Sequence, residues 1–168
     1  MKSRLWTLVL VIFILPLLGG LVFYWQDIHS SPSGTINAEK VPLSFEPNTV
    51  KDLQCNMLLQ GVAYSVQLIT KEQKTYFFDD IGCAILWCRD QKVELDGVTL
   101  WVYDNIAKRY IDAFSAYYSI IEETPMHYGF GAHAIKSDER ISFEEMRLRM
   151  LRGENLTHPQ VRKKLLGK

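Results

Sequence analysis

The chain has 168 residues, with 19 basic and 19 acidic side chains, and 48% of the residues are hydrophobic. That length, less an apolar N-terminal segment, suits one domain of ordinary size with a packed core. The balanced charge argues against nucleic acid as a partner, because domains that bind nucleic acid carry a basic surface.

The first predicted element is a membrane-spanning helix from Leu5 to Trp25, an apolar run without a charged residue. About 20 such residues cross the hydrocarbon core of a bilayer. Lys2 and Arg4 precede the run, and basic flanks stay in the cytoplasm. We therefore predict a single-pass anchor, residues 1–26, in the inner (cytoplasmic) membrane, with the C-terminal domain in the periplasm or outside. A cleaved signal peptide is the alternative, although no small-residue cleavage site follows the run.

A tether and a hairpin are predicted next. Residues 27–49 hold Ser, Pro and Gly residues that favour turns and extended chain. The folded domain is predicted over residues 50–152. Alternating apolar residues predict a strand region over Leu58–Thr70, and Thr75–Phe78 returns as the second strand after a polar turn.

A helix and a third strand complete the first half of the domain. Asp79 and Asp80 are typical of a helix N-terminus, so a helix is predicted from Ile81 to about Arg89. Val98–Tyr103 is rich in residues that favour strands. The first half therefore has the order strand, strand, helix, strand.

The second half is predicted to repeat this pattern. Asn105–Ile121 fits a helix or a strand, Gly129–Ile135 fits a strand, and a helix is predicted to begin at Ser142. The predicted fold is α+β, one soluble domain of two ββαβ-like halves after the transmembrane helix. Residues 153–168 form a polar, basic tail that is predicted to fray.

Cys55 and Met57 are the first candidate metal ligands. In a strand, residues two apart project from the same face, so the thiolate and the thioether would reach one ion. Soft sulfur ligands select Cu(I) over Mg²⁺ or Ca²⁺. A Cys and a Met at this spacing are by themselves more often a core pair, because both residue types favour burial.

Further short motifs follow these two residues, and their order resembles that of a known family. In chain order the motifs are Cys55-Asn56-Met57, Phe77-Phe78-Asp79-Asp80-Ile81-Gly82-Cys83, Tyr110-Ile111-Asp112-Ala113, Ala116-Tyr117-Tyr118 and Thr124-Pro125-Met126. Over about residues 50–150 the chain resembles the NosL-type copper chaperones, which are associated with maturation of nitrous-oxide reductase. The resemblance implies a Cu(I) carrier that binds through Cys55, Met57 and Met126. It also implies a copper-accepting client, nitrous-oxide reductase or its maturation machinery.

Several features depart from the pattern of this family. The family members are usually lipoproteins, whereas this chain has a predicted transmembrane helix. His127 follows Thr-Pro-Met where Gly is common, and Ala84 stands where a Met often follows the cysteine. His127 and His133 are candidate additional ligands, although a lone histidine in a loop is usually only solvated.

The remaining cysteines and acidic residues are predicted to be structural. Cys83 is interpreted as a buried packing thiol, with membership of the metal site as the alternative. Asp79 and Asp80 are interpreted as a helix cap, since carboxylates suit hard ions. A Cys55–Cys83 disulfide is the alternative for those two cysteines in an oxidising compartment. Cys83 and Cys88 would point in different directions on one helix and are poor mutual partners.

No nucleophile–base pair, phosphate loop or zinc motif is visible in the sequence, so the protein is predicted not to be an enzyme. The alternative is a thiol-dependent enzyme related to the organomercurial lyases, for which Cys55, Cys83 and Asp80 would form the active set. A second alternative is an interaction module without metal, in which the cysteines are bridged.

Overall fold

The computed structural model describes residues 13, 14, 16–21 and 34–167. The chain divides into two units, residues 1–33 and residues 34–168. In the first unit residues 16–21 are helical, and most of the predicted anchor Leu5–Trp25 lies outside the described residues. Among the residues that the structure describes, no helix has the length and hydropathy needed to span a bilayer. The anchor stays a prediction.

The described part of the second unit contains eight strands and three helices. They form a five-stranded sheet in the order β1-β3-β2-β4-β5 and a three-stranded sheet in the order β7-β6-β8, both antiparallel. The α+β class is therefore confirmed. The strands are β1 (Thr35–Ile36), β2 (Val66–Ile69), β3 (Lys74–Phe78), β4 (Thr99–Asp104), β5 (Arg109–Asp112), β6 (Tyr117–Tyr118), β7 (Ala132–His133) and β8 (Ile141–Ser142), and the helices are α1 (Ile81–Gln91), α2 (Phe143–Arg152) and α3 (Pro159–Leu166).

The hydrophobic core lies around α1. This helix contacts β2 and β3 on one side and α2 on another. Trp87 of α1 packs against the rings of Tyr76 and Phe78 in β3, with ring centroids 4.9 and 5.6 Å apart. Leu100 and Val102 alternate with half-exposed neighbours along β4 and point into the same core. Each such side chain contributes about 1.5–3 kcal/mol through burial.

Local capping chemistry positions both core helices. The side chain of Asp80 accepts a hydrogen bond from the Gly82 N–H at the start of α1. Ser142 accepts from the Glu145 N–H at the start of α2. The predicted start of each helix is confirmed, because a polar N-cap satisfies an N–H group that has no partner within the helix.

The loop before β2 and the second half of the domain differ from the prediction. Only Val66–Ile69 of the predicted strand Leu58–Thr70 is a strand, and residues 61–64 form bends and turns. The ambiguous segment Asn105–Ile121 forms β5 and β6, since Asp104 accepts from two N–H groups of the turn and folds the chain back on β4. In the second half α2 follows all four strands, β5 to β8, so the described order there is ββββα rather than ββαβ.

Part of the segment predicted as a tether lies against the five-stranded sheet. From residue 34 on, the chain pairs with β3 through β1. The Trp101 side chain donates a hydrogen bond to the Lys40 carbonyl (2.9 Å). Gln67 exchanges two hydrogen bonds of 2.8 Å with the backbone of Leu43. Buried polar side chains that need partners hold this segment in place, a tertiary effect that composition does not predict.

The C-terminal tail also contains regular structure. Residues predicted to fray include helix α3, which begins at Pro159, where the fixed backbone of proline suits the first helical turn. The side chain of Arg162 donates to the Leu156 carbonyl (2.9 Å), and Leu156 is buried. These contacts connect α3 to the domain.

Candidate metal centre

Four side chains with metal-binding atoms meet beside the N-terminus of α1. Asp52 and Cys55 come from a turn at residues 52–57, Asp79 directly precedes the helix cap, and Cys83 lies in the first turn of α1. Their ligand atoms all lie within 4.8 Å of one another. Cys55 is partly exposed and the other three are buried. We call these four residues the Cys–Asp cluster.

Asp52 organises the turn that carries Cys55. Its Oδ1 accepts hydrogen bonds from the N–H groups of Gln54 (2.6 Å) and Cys55 (2.9 Å), the pattern of an aspartate-initiated turn. Its Oδ2 accepts from the N–H of Asp79 (2.9 Å). Both oxygens of Asp52 are therefore engaged, and this carboxylate connects the turn to the residue that precedes the helix cap.

The prediction that Cys55 and Met57 share a strand face is wrong. The turn closes through hydrogen bonds from the Asp52 N–H to the Met57 carbonyl (2.8 Å) and from the Asn56 N–H to the Asp52 carbonyl (3.0 Å). Asn56 has a φ of 64°, in the left-handed region. The chain reverses between the two candidate ligands, so their spacing does not place them on one face.

Asp79 carries the oxygen best placed for a ligand role. Its Oδ2 accepts a hydrogen bond from the thiol of Cys55 (3.7 Å). Its Oδ1 is buried and has no hydrogen-bond partner. Leaving a buried polar atom unpaired costs about 1–3 kcal/mol, and more when it is charged. A bound cation would satisfy this oxygen, so the residues present fit a metal ion.

The electrostatics of the cluster also favour a cation. Burial, with the hydrogen bond and charge of Asp52, raises the pKa of Asp79 to about 7. Burial and the two carboxylates raise the pKa of Cys55 to about 11, and burial raises the pKa of Cys83 further. In the described residues no basic side chain forms an ion pair with any member of the cluster. A metal ion would supply the missing positive charge.

Asp80 has the structural role that the sequence predicts. Its Oδ1 caps α1 through Gly82, and its Oδ2 accepts from the Met126 N–H (3.4 Å). Burial raises the pKa of Asp80 to about 6, while hydrogen bonds from Thr124, Gly82 and Met126 oppose this shift. Asp79 is not part of the cap, so the prediction that both aspartates form a helix cap holds only for Asp80.

The predicted methionine ligands lie around the cluster on two loops. Met57, with 42% of its surface exposed, lines a cavity of about 470 Å³ together with Asp79, Pro125 and His127. Met126 is partly buried against the core, and its backbone is bound to the carboxylate of Asp80. The loops that carry both residues therefore meet beside Asp79. The assignment of the two thioethers as ligands stays a prediction.

His133 is not a solvated loop residue. It is buried in β7, where its Nε2 forms a hydrogen bond with Glu122 and its Nδ1 lies 4.0 Å from Asp104 Oδ1. These acidic partners are different residues from those of the Cys–Asp cluster. His127 is exposed at the cavity described above, with a φ of 55°.

Sequence reasoning missed Asp52, assigned Asp79 to the helix cap, and took Cys83 first as a packing thiol, with membership of the metal site as an alternative. The turn preference of aspartate, whose side chain can accept a hydrogen bond from the backbone two residues on, is the local signal that points to Asp52. The proximity of Cys83 depends on the packing of α1 beside the turn and has no local signal. The alternative Cys55–Cys83 disulfide is not formed, because all three cysteines are free.

Comparison with protein-family models and with curated proteins finds no match to this chain. The chain thus forms an α+β domain with a cluster of aspartate and cysteine side chains that could hold a metal ion.

Proposed function

We propose that the protein is a membrane-anchored, extracytoplasmic Cu(I) chaperone or copper-site assembly factor. The observation that carries the proposal is the meeting of two thiols, Cys55 and Cys83, beside the unpaired Oδ1 of Asp79. The resemblance to the NosL-type proteins supports it and suggests the client, nitrous-oxide reductase or its maturation machinery.

The free donor atoms favour Cu(I). Hydrogen bonds occupy both oxygens of Asp52, which leaves two sulfur atoms and one oxygen available within the cluster. Structural zinc sites are almost always tetrahedral with four protein ligands, whereas soft sulfur ligands suit Cu(I). Met57 and Met126 would add soft thioether donors from the neighbouring loops. The preference for Cu(I) now rests on two thiols, one more than the sequence-based ligand set contains.

The position of the cluster suits a carrier that passes its ion on. Cys55 is partly exposed, and Asp79 lines the cavity that also contains Met57 and His127. A client that brings its own sulfur or imidazole ligands could therefore reach the ion from this side. A site closed on all sides would instead suit a permanent structural metal.

We expect the full-length protein, purified with its thiols reduced, to bind one Cu(I) ion and to hold it against a chromophoric Cu(I) chelator. A roughly tenfold excess of Zn(II) should not displace the copper, because the cluster offers zinc no fourth ligand. Metal analysis after gel filtration gives the stoichiometry. Retention of stoichiometric zinc, with loss of Cu(I) to the chelator, would contradict the proposal.

The proposed location has its own test. The apolar run Leu5–Trp25 and the basic residues before it predict that the domain lies outside the cytoplasm. We expect protease to digest the domain in spheroplasts, whose outer surface is accessible, while a cytoplasmic marker stays intact. Protection of the domain until the inner membrane is broken would contradict this location, and a mature N-terminus near residue 30 would show that the anchor is cleaved.

One observation favours the alternative enzyme. Two thiols that bind a soft metal lie beside Asp79, and its raised pKa of about 7 suits a proton donor. Such a set could protonate the carbon of an organomercurial as the carbon–metal bond breaks, with Asp79 in the role that the sequence suggests for Asp80. Release of hydrocarbon from an organomercurial in the presence of excess thiol would favour this enzyme.

The second alternative, an interaction module without metal, has a separate test. If the reduced protein bound no metal ion, that result would favour the interaction module.

A further inference from the structure

We propose that Cys55 and Cys83 also form a reversible disulfide by exchange with a disulfide-bearing oxidant, and that the oxidised protein does not bind Cu(I). The disulfide itself is inferred from geometry alone, whereas its effect on copper rests on the proposed function. The chemical class of the partner is a disulfide, such as oxidised glutathione or a thiol–disulfide oxidoreductase.

The two sulfur atoms are close enough to join after a small movement. They lie within 4.8 Å of each other, so closing to the S–S bond length needs an approach of less than about 3 Å. Cys83 is held in the first turn of α1, which Asp80 caps. Cys55 lies on a turn that ends at the exposed residues Asn56 and Met57. The turn is therefore the part that moves.

The difference in exposure assigns the order of the chemical steps. Cys55 is partly exposed, whereas Cys83 has none of its surface exposed. The Cys55 thiol gives up its proton as its sulfur attacks the incoming disulfide; a mixed disulfide forms, the S–S bond of the oxidant breaks, and the first thiol of the oxidant leaves with a proton. The Cys83 thiol then gives up its proton as its sulfur attacks the Cys55 sulfur; the mixed disulfide breaks, and the second thiol of the oxidant leaves with a proton. The cysteine pair loses two electrons and two protons, and the oxidant is reduced to two thiols.

Copper and the oxidant then compete for the same pair of sulfur atoms. A disulfide has no thiolate to bind Cu(I), so oxidation empties the site. Bound Cu(I) stabilises the reduced pair and shifts the oxidation equilibrium by linkage. The cluster would thus hold copper under reducing conditions and release it when a disulfide donor arrives.

The test uses the full-length protein, without metal, equilibrated anaerobically with mixtures of reduced and oxidised glutathione. Free thiols are then alkylated, and the disulfides are mapped by mass spectrometry. We expect a Cys55–Cys83 link in the natural chain. Cys88→Ser should form the same link at the same midpoint ratio of reduced to oxidised glutathione, because Cys88 is buried outside the cluster. Cys83→Ala should stop at a mixed disulfide between Cys55 and glutathione.

Copper gives the second readout. Oxidation should weaken Cu(I) binding by more than about 100-fold, and reduction should restore it. Half-oxidation of the Cu(I)-loaded protein should require at least about tenfold more oxidised glutathione than half-oxidation of the metal-free protein. A stable mixed disulfide in the natural chain, a link to Cys88, or unchanged copper affinity in the linked protein would overturn the inference. If the disulfide forms but the reduced protein binds no Cu(I), the proposed function fails and the disulfide stands.

Discussion

Cys55→Ala and Cys83→Ala are each expected to lower the affinity for Cu(I) by more than about 100-fold. Replacing a residue that only supports the ligands of a metal typically lowers the affinity by about 10- to 100-fold, and loss of a ligand should cost more. Each substitution removes one of the two thiols in the Cys–Asp cluster. Soft thiolates are the donors that bind Cu(I) most strongly there. Competition with a chromophoric chelator measures the affinities, and thermal melts of the metal-free variants measure stability.

Cys88→Ala is the matched control. Cys88 is also a buried thiol on α1, and burial raises its pKa to about 12, but it lies outside the cluster. We expect unchanged copper affinity and a loss of stability of about 1 kcal/mol. Normal binding in Cys55→Ala would contradict the proposed function. Normal binding with a lowered melting temperature in Cys83→Ala would support the packing role that the sequence predicts for it.

The methionines belong to the same series of variants. Met57→Ala and Met126→Ala should each weaken Cu(I) binding by about tenfold and leave the fold intact, since thioethers are neutral, weaker donors. The melt of Met126→Ala is the more informative of the two, because Met126 is partly buried against the core, whereas Met57 has 42% of its surface exposed. If Met126→Ala loses Cu(I) affinity only to the extent that the metal-free variant loses stability, Met126 has a packing role and is not a ligand.

Asp79→Asn is expected to make the metal-free protein more stable at pH 8, although it should weaken metal binding. Burial and Asp52 raise the folded-state pKa of Asp79 to about 7, above the value near 3.9 typical of unfolded chains. The folded state therefore binds the proton more tightly. The stability contributed by this group is fully present below about pH 4 and is lost as the pH rises through 7.

The size of this effect is on the order of 4 kcal/mol, since the pKa differs by about three units between the folded and unfolded states and one pKa unit corresponds to about 1.4 kcal/mol. At pH 8 the melting temperature of Asp79→Asn should exceed that of the natural chain by roughly 5 °C or more, and near pH 4 the difference should vanish. Asp90→Asn is the control, because Asp90 is an exposed aspartate on α1 whose pKa is lowered by a hydrogen bond from Arg89. A difference between Asp79→Asn and the natural chain that does not change with pH would contradict the prediction.

The parts of the fold that the sequence predicts are those with local causes. Asp80 and Ser142 each cap a helix by accepting a hydrogen bond from an N–H in the helical turn that directly follows them. In β4, buried and partly exposed residues alternate, as in a strand with one buried face. The missed strand β1 depends on pairing with the distant β3, and no local pattern marks it. The second half departs from the predicted repeat because α2 follows the last strand, β8, in the chain, and β8 pairs with β6.

The candidate site is only partly visible in the sequence for the same reason. Cys55 is recognised from its motif, but its neighbours depend on the packing of a turn against the start of α1. The hydrogen bond from the Asp79 N–H to Asp52 joins residues far apart in the chain. The unpaired Oδ1 of Asp79 is a property of burial, which a residue type alone does not predict.

The pairing of β1 with β3 fixes the distance between the start of the described domain and the thiols of the Cys–Asp cluster. Thr35 pairs with Thr75 near the start of β3, whereas Asp79 directly follows the end of that strand. At about 3.3 Å per residue, the entry of the chain and the cluster lie roughly 13 Å apart along the strand. The described domain therefore begins beside the start of β3, and the sulfur atoms of the Cys–Asp cluster lie beside the other end of that strand.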